Sequence, residues 1–396
     1  MSAGKAALAS AEPLDRYREV RAHTLALVAP LSAEDCQVQS MPDASPAKWH
    51  LAHTAWFFET FLLAPLLEGY QAFDPAFAVL FNSYYVSIGE RHVRAERGLL
   101  SRPALEHVLA YRAHVDRGMA RLAAQHPVER WADILELGLQ HEQQHQELIL
   151  MDIQHAFSRN PLRPAYGAGY KPAVATEAAG WIEIPGGLHA IGHEGAGFAF
   201  DNEAPRHRVW LEPFALADRL VTNAEYLRFV EDGGYRRPEL WLSDGWAACE
   251  AEGWTAPLYW QADGAGWSRF SLGGLAPLDP AEPVLHMSYY EADAFARWSG
   301  ARLPLEAEWE IAAAHATLRQ QDDAAWQWTA SPYSAYPGFY PSEDAVGEYN
   351  GKFMVNQFVL RGGCLATPPG HARPTYRNFF PPAARWAFSG IRLARR

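Results

Sequence analysis

The stretch Leu139-Gln140-His141-Glu142-Gln143-Gln144-His145-Gln146-Glu147 decides how the first part of this chain is read. It sits in a segment whose apolar residues recur at three- and four-residue spacing, which predicts a helix from about Val128 to Ser158. At about 3.6 residues per turn, positions i and i+4 stack on one helical face, so His141 and His145 point at a common atom. Two stacked imidazoles are how a helix offers two nitrogen ligands to a transition metal. A third ligand would complete a site. The earlier stretch Ser45-Pro46-Ala47-Lys48-Trp49-His50-Leu51-Ala52-His53-Thr54-Ala55-Trp56-Phe57-Phe58-Glu59 offers two candidates, His50 and His53.

The same periodicity appears over Arg16–Val28, Ala47–Leu67 and Arg102–His126, with Pro30, Pro42, Pro75, Pro103 and Pro127 as punctuation. Four such segments predict an antiparallel bundle, whose core is a usual place for a metal. Between the second and third helices, Phe81 to Gly98 reads as a loop carrying Tyr84, Tyr85, Arg91, Arg94 and Arg97.

Composition sets the frame. A chain of 396 residues with 49% hydrophobic and 20% charged residues is globular, and its length favours two domains. A formal charge of −12 argues against a general binder of nucleic acid or anionic membrane. The three cysteines, Cys36, Cys249 and Cys364, fit no zinc-finger spacing and no disulfide framework. Met1 to Ala11 has no apolar core of signal-peptide length, and no apolar run reaches the roughly 18 residues of a membrane span. These features lead us to expect a soluble cytoplasmic protein.

From Asn160 to Ala179 the composition shifts to Pro, Gly, Ala and Tyr, and reads as containing a linker, placed at 166–179. Domains are therefore expected over 1–165 and 180–396. The second half shows short strand-like pieces at Trp181–Ile184, His207–Trp210, Phe214–Leu216 and Phe358–Leu360. Amphipathic helices are expected over Asn223–Asp232 and Tyr289–Ser299. The whole reads as a two-domain α+β protein.

Several second-half segments carry a resemblance. They are Leu220-Val221-Thr222-Asn223-Ala224-Glu225-Tyr226, Pro283-Val284, Arg302-Leu303-Pro304-Leu305-Glu306-Ala307-Glu308-Trp309-Glu310, Trp328-Thr329-Ala330-Ser331, Arg361-Gly362-Gly363 and Phe388-Ser389-Gly390-Ile391-Arg392. In that order they resemble the formylglycine-generating-enzyme/sulfatase-modifying-factor domain, a variant of the C-type-lectin fold. The first half resembles the DinB-like four-helix bundle with a three-histidine metal site. Their fusion resembles the EgtB-type sulfoxide synthases of ergothioneine biosynthesis and a sister group, the SenA-like selenoneine synthases.

The resemblance implies a site. Its Leu-Ala/Gly-His and His-x3-His-x-Glu patterns place iron ligands at His53, His141 and His145, with His50 in reserve. Glu147 falls outside the ligand set. Gln144 matches a glutamine that binds the hercynine (Nα-trimethylhistidine) imidazole. Asn378 matches an asparagine at the hercynine carboxylate, and Phe379 and Phe380 offer apolar or cation–π contact to its trimethylammonium group. Tyr85, or else Tyr84, is implied as proton donor. Arg94 and Arg97 are implied to hold the carboxylate of the sulfur donor. The stretch Tyr349-Asn350-Gly351-Lys352-Phe353-Met354 departs from the branch that takes its tyrosine from there. That points to the Tyr-Tyr branch, where the donor is typically free cysteine rather than γ-glutamylcysteine.

The implied chemistry joins sulfur, or selenium, to an unactivated imidazole carbon. This needs an oxidant; O2 is the available one, and triplet O2 needs a redox metal, here Fe(II). Cys364 stands where the family motif has Ser, and the chain is compact, so a selenosugar donor is a second expectation. Two other classes are weighed: formylglycine generation, which needs a copper-binding cysteine pair, and a lectin-like binding module without catalysis.

Overall fold

The computed structural model describes residues 13–175, 177–262, 264, 266–341, 347 and 350–396; Met1–Ala11 and Tyr349, both read above, lie outside them. The chain forms two compact units. The first runs to Tyr166 and includes Pro368–His371; the second is Gly167–Thr367 with Ala372–Arg396.

In the first unit, α1 (Pro13–Val28) buries Tyr17, Val20, Arg21, Thr24 and Leu27, one stripe at three- and four-residue spacing. Helix α2 (Ala47–Phe58) is buried along its whole length. The expected continuous helix to Leu67 is interrupted by a π-helical turn over Glu59–Leu63, followed by α3 (Ala64–Leu66). Pro65 accounts for the interruption, because it has no N–H to give and its ring crowds the carbonyl four residues back. The turn also aims Glu59 inward, where it accepts hydrogen bonds from the Tyr70 and Tyr111 hydroxyls at 2.6 and 2.7 Å.

A short helix, α4 (Phe77–Leu80), precedes the tyrosine loop, and the loop itself ends in a 3-10 turn over Arg94–Leu99. Helices α5 (Leu105–Gln125) and α6 (Ala132–Arg159) complete the bundle. Gly138 lets α6 approach α2: an added Cβ would stand 2.5 Å from the Phe58 ring. The bundle buries an ionic cluster. Glu142 accepts from Arg21 (3.1 Å), Arg112 (2.8 Å) and Thr24 (2.7 Å). Burial alone would raise the Glu142 pKa, but the two guanidiniums hold it down to about 2.

The stretch read as a linker is not a free tether. Gly167 N–H donates to Leu272 O, and Ala173 O accepts from Gln320 Nε2, so its backbone groups find partners in the second unit.

The second unit has many short elements. They are β1 (Trp181–Ile184), β2 (Gly187–Ile191), β3 (His207–Leu211), β4 (Phe214–Ala217), α7 (Asn223–Glu231), α8 (Ser243–Glu252), β5 (Trp260–Ala262), β6 (Trp267–Ser271) and β7 (Gly274–Pro277). Then follow α9 (Tyr289–Trp298), α10 (Glu306–His315), β8 (Trp326–Pro332), β9 (Phe358–Arg361), β10 (Asn378–Phe380), β11 (Ser389–Gly390) and β12 (Ala394–Arg395). Among the described residues the sheet orders are β1-β4-β12, β10-β9-β8-β11, β2-β3 and β5-β6-β7. Pairing is antiparallel except between β11 and β8.

The quoted motifs have structural work in this unit. Thr222 and Glu225 close a capping box on α7, and Ser288 and Glu291 close one on α9. In Arg361-Gly362-Gly363, the guanidinium of Arg361 is buried against Glu310. Gly362 has φ +99°, and a Cβ there would meet Gln321 O at 2.3 Å, so only glycine fits.

His286 has φ +63° and packs against Tyr259 and Phe388. Burial pushes its pKa down to about 3, with Arg269 adding to the effect. The unfolded imidazole titrates near 6.5, so as pH falls from there only the unfolded chain gains the proton. Folded stability therefore drops by about 1.4 kcal/mol per pH unit until about pH 3 is reached. His286→Asn keeps a residue that tolerates positive φ. Urea unfolding should show its stability loss between about pH 7.5 and about pH 5 to be smaller than wild type by about 2 kcal/mol. An identical loss would mean that His286 titrates normally.

Candidate metal centre

Helix α2 carries His53, and α6 carries His141 and His145 one turn apart. All three side chains are buried. His141 Nε2 lies 3.2 Å from His53 Nε2 and 3.0 Å from His145 Nε2. One nitrogen from each residue falls within 4.8 Å of the other two; among the described residues this is a group of the kind that could hold a metal. Two cis ligands on bonds of about 2.1 Å stand about 3.0 Å apart, so the spacing fits one shared ion.

Local packing fixes these rings. The His53 imidazole is stacked between Trp49 (4.6 Å, 16°) and Trp56 (5.6 Å, 18°), its neighbours on one helical face. His53 Nδ1 lies 2.6 Å from Phe81 O. A carbonyl only accepts, so Nδ1 carries the proton and Nε2 keeps its lone pair. Trp49 and Trp56 donate to Leu80 O and Ala78 O at 3.0 and 3.2 Å. Three side chains of α2 thus take up carbonyls at the end of α4 that have no helical partner.

Burial comes first in lowering all three histidine pKa values. His141 is pushed down to about 3, while His53 and His145 lie well below the ordinary value, each also depressed by neighbouring imidazoles. The imidazoles are neutral near pH 7, the form that binds metal. Three neutral nitrogen donors converging in a buried site fit a divalent first-row ion such as Fe(II).

His50, the reserve candidate, lies outside this group. Its Nδ1 is 2.7 Å from His145 Nδ1, and its Nε2 is 3.0 Å from Asp152 Oδ2. Glu147 is buried on α6 and Gln144 is partly exposed, neither within the histidine group.

In the loop, Tyr85 is fully buried and stacks on Tyr84 at 4.6 Å. Its ring also meets Trp56 and Phe61. Asn82 accepts from Tyr85 N–H (3.1 Å) and donates to Tyr85 O (3.0 Å), closing the turn. The two arginines, three residues apart, go to different places. Arg94 is exposed and donates to Asp43 O. Arg97 is 5% exposed, with its guanidinium carbon 3.3 Å from the Trp49 ring centre and Nη1 donating to Ser45 Oγ at 2.9 Å.

In the second unit, Asn378 opens β10 and accepts from Phe379 N–H at 2.9 Å. Phe379 stacks on Tyr333 at 4.1 Å, and Phe380 meets Trp386 edge-on. All three are partly exposed.

Comparison with known proteins fits both halves. Residues 16–157 match the DinB superfamily, and residues 168–325 match the sulfatase-modifying factor enzyme 1-like domain. A hercynine oxygenase of Mycolicibacterium thermoresistibile is 34% identical, covering 95% of this chain and 93% of its own. The chain belongs to the hercynine oxygenase family. A hercynine oxygenase of Mycobacterium tuberculosis is 32% identical over 94% of this chain and 96% of its own. A formylglycine-generating enzyme of Streptomyces coelicolor is 37% identical, but over only 38% of this chain and 52% of its own.

Membership of the hercynine oxygenase family makes the protein an oxidoreductase and sets aside a purely lectin-like role. Cys249 and Cys364 are buried thiols engaged with their own neighbourhoods: Cys249 Sγ donates to Trp254 O, and Cys364 Sγ accepts from Thr367 Oγ1. No helix among the described residues is long and apolar enough to cross a membrane.

The motifs did not single out Asp152, Ser45 or Asn82. Asp152 had a signal nonetheless, because seven residues after His145 it falls on the same face of α6.

Proposed function

We propose that this protein is a non-haem Fe(II), O2-dependent enzyme that joins a thiol donor to C2 of the hercynine imidazole, with cysteine as the donor. The observation that carries the reading is the trio of buried, neutral imidazoles in a chain of this family. His53, His141 and His145 would hold the metal, which supplies the redox partner that triplet O2 needs. The balance closes: hercynine C–H, donor S–H and O2 give a C–S bond, a sulfoxide oxygen and one water.

Gln144 would hold the hercynine imidazole. Asn378 would take its carboxylate end, and Phe379 and Phe380 its trimethylammonium group. These three assignments follow the family pattern. The family pattern gives the donor carboxylate to Arg94 and Arg97; of the two, which stand apart, Arg97 has a physical argument of its own. Burial lowers its pKa to about 9, and Arg94 and Arg91 add to the effect against Asp152. Among the described residues its Nε meets no hydrogen-bond partner, although the residue is buried. A buried guanidinium with an open N–H and cationic neighbours favours an anion. Tyr85 would deliver the proton that O2 reduction consumes.

The test is anaerobic loading with Fe(II), then hercynine and O2 with cysteine, γ-glutamylcysteine or a selenosugar in parallel. Products are read by mass. The cysteine sulfoxide adduct is expected to dominate. An adduct only with the selenosugar would replace the donor assignment with selenoneine synthesis. No adduct in any arm would sink the proposal.

A further inference from the structure

The His50–His145 contact pairs two Nδ1 atoms at 2.7 Å, so one must carry a proton and the other a lone pair. The far end of His50 settles which. Asp152 Oδ2, an acceptor, lies 3.0 Å from His50 Nε2, so Nε2 carries the proton there. A neutral His50 then has its lone pair on Nδ1, and His145 must donate from its own Nδ1. That leaves the His145 lone pair on Nε2, the atom 3.0 Å from His141 Nε2. The order Asp152, His50, His145 reads in one direction only.

The relay is anchored and buried. His50 and Asp152 are both buried, and Asp152 Oδ2 also accepts from Ser45 N–H at 2.8 Å. His53 is held by a neutral carbonyl. His145 instead leans on an imidazole backed by a carboxylate, a stronger pull on its proton and so a more basic donor nitrogen.

We infer that His50 and Asp152 are positioning residues that fix the tautomer and orientation of His145 and strengthen it as a metal ligand. The inference rests on the metal reading above. Partners of this kind typically change metal affinity by roughly 10–100-fold.

Two substitutions at one position separate this from a packing role. His50→Gln keeps an acceptor toward His145 and a donor toward Asp152. His50→Phe fills the space with neither. Full-length apoprotein is titrated anaerobically with Co(II), reading both affinity and the visible ligand-field spectrum. The Phe variant should bind at least about tenfold more weakly with a shifted spectrum, while the Gln variant stays within a few-fold of wild type. A smaller loss in the Phe variant, or an equal loss in both, overturns the inference.

Asp152→Asn serves if the Phe variant does not fold. It removes the charge with little change of shape, and affinity and spectrum both unchanged from wild type would likewise overturn the relay. Failure of the wild-type protein to bind Co(II) would instead count against the metal reading.

Discussion

His141→Ala is expected to abolish stable Fe(II) binding, weakening it by more than about 100-fold, since loss of mere outer partners already costs roughly 10–100-fold. His141 is the common neighbour in the trio, with its Nε2 3.2 Å from that of His53 and 3.0 Å from that of His145. Removing it leaves two donors from different helices. Thermal unfolding gives an independent reading. Iron at about 100 times its Kd should stabilise the wild type by about 2.7 kcal/mol and leave the variant unmoved. Wild-type iron stoichiometry and affinity in His141→Ala would show that the ion, if any, binds elsewhere.

Tyr85→Phe is expected to change what the enzyme makes rather than what it binds. The substitution removes one hydroxyl from a fully buried ring whose packing on Tyr84, Trp56 and Phe61 survives. Proton delivery by a positioned side chain is typically worth about 10²–10⁴-fold. Without it the donor itself becomes the substrate for oxidation. The carbon–sulfur adduct should therefore fall by about 10²-fold or more, with oxidised donor such as cysteine sulfinic acid taking its place. Iron affinity should be unchanged. Tyr84→Phe, tested alongside, assigns the role within the pair. Unaltered product ratios in both variants would remove the loop from the chemistry.

Much of the fold is legible in the sequence where one face is apolar and ends are marked. The α1 stripe, the helices α7 and α9 and the strand at Trp181–Ile184 all lie where the hydrophobic pattern puts them. Helix α10 is different. Its Glu306-Ala307-Glu308-Trp309-Glu310 run buries three acidic residues. Glu308 pairs with nearby Arg302, but the partners of the other two lie outside any local window. Arg377 meets Glu306 across 71 positions, and Arg361 meets Glu310 across 51.

The histidine geometry is legible for the same reason the helices are, since His141 and His145 need only one turn. The choice between His50 and His53 does not follow from helical spacing, because both ride one buried helix, and only the family pattern separates them in the text. It turns on Phe81 O and Asp152, which tertiary folding brings in. Arg94 and Arg97 look equivalent as text. A Trp49 ring and a Ser45 hydroxyl bury one, while the other stays at the surface.

The grip of α2 on the end of α4 bears on how the tyrosine loop could be exchanged between relatives. Ala78, Leu80 and Phe81 are latched to α2, and His92 N–H returns to Val79 O. Between these latches, Asn82 reaches Tyr85 O, Gly89 O and Glu90 O. The segment from Asn82 to His92 is therefore a cassette with its own internal clasp and two fixed sockets. A graft that carries it whole keeps clasp and sockets in register. A graft cut inside it, between Tyr85 and Gly89, would separate the asparagine from the backbone it organises and deliver the tyrosines without their scaffold.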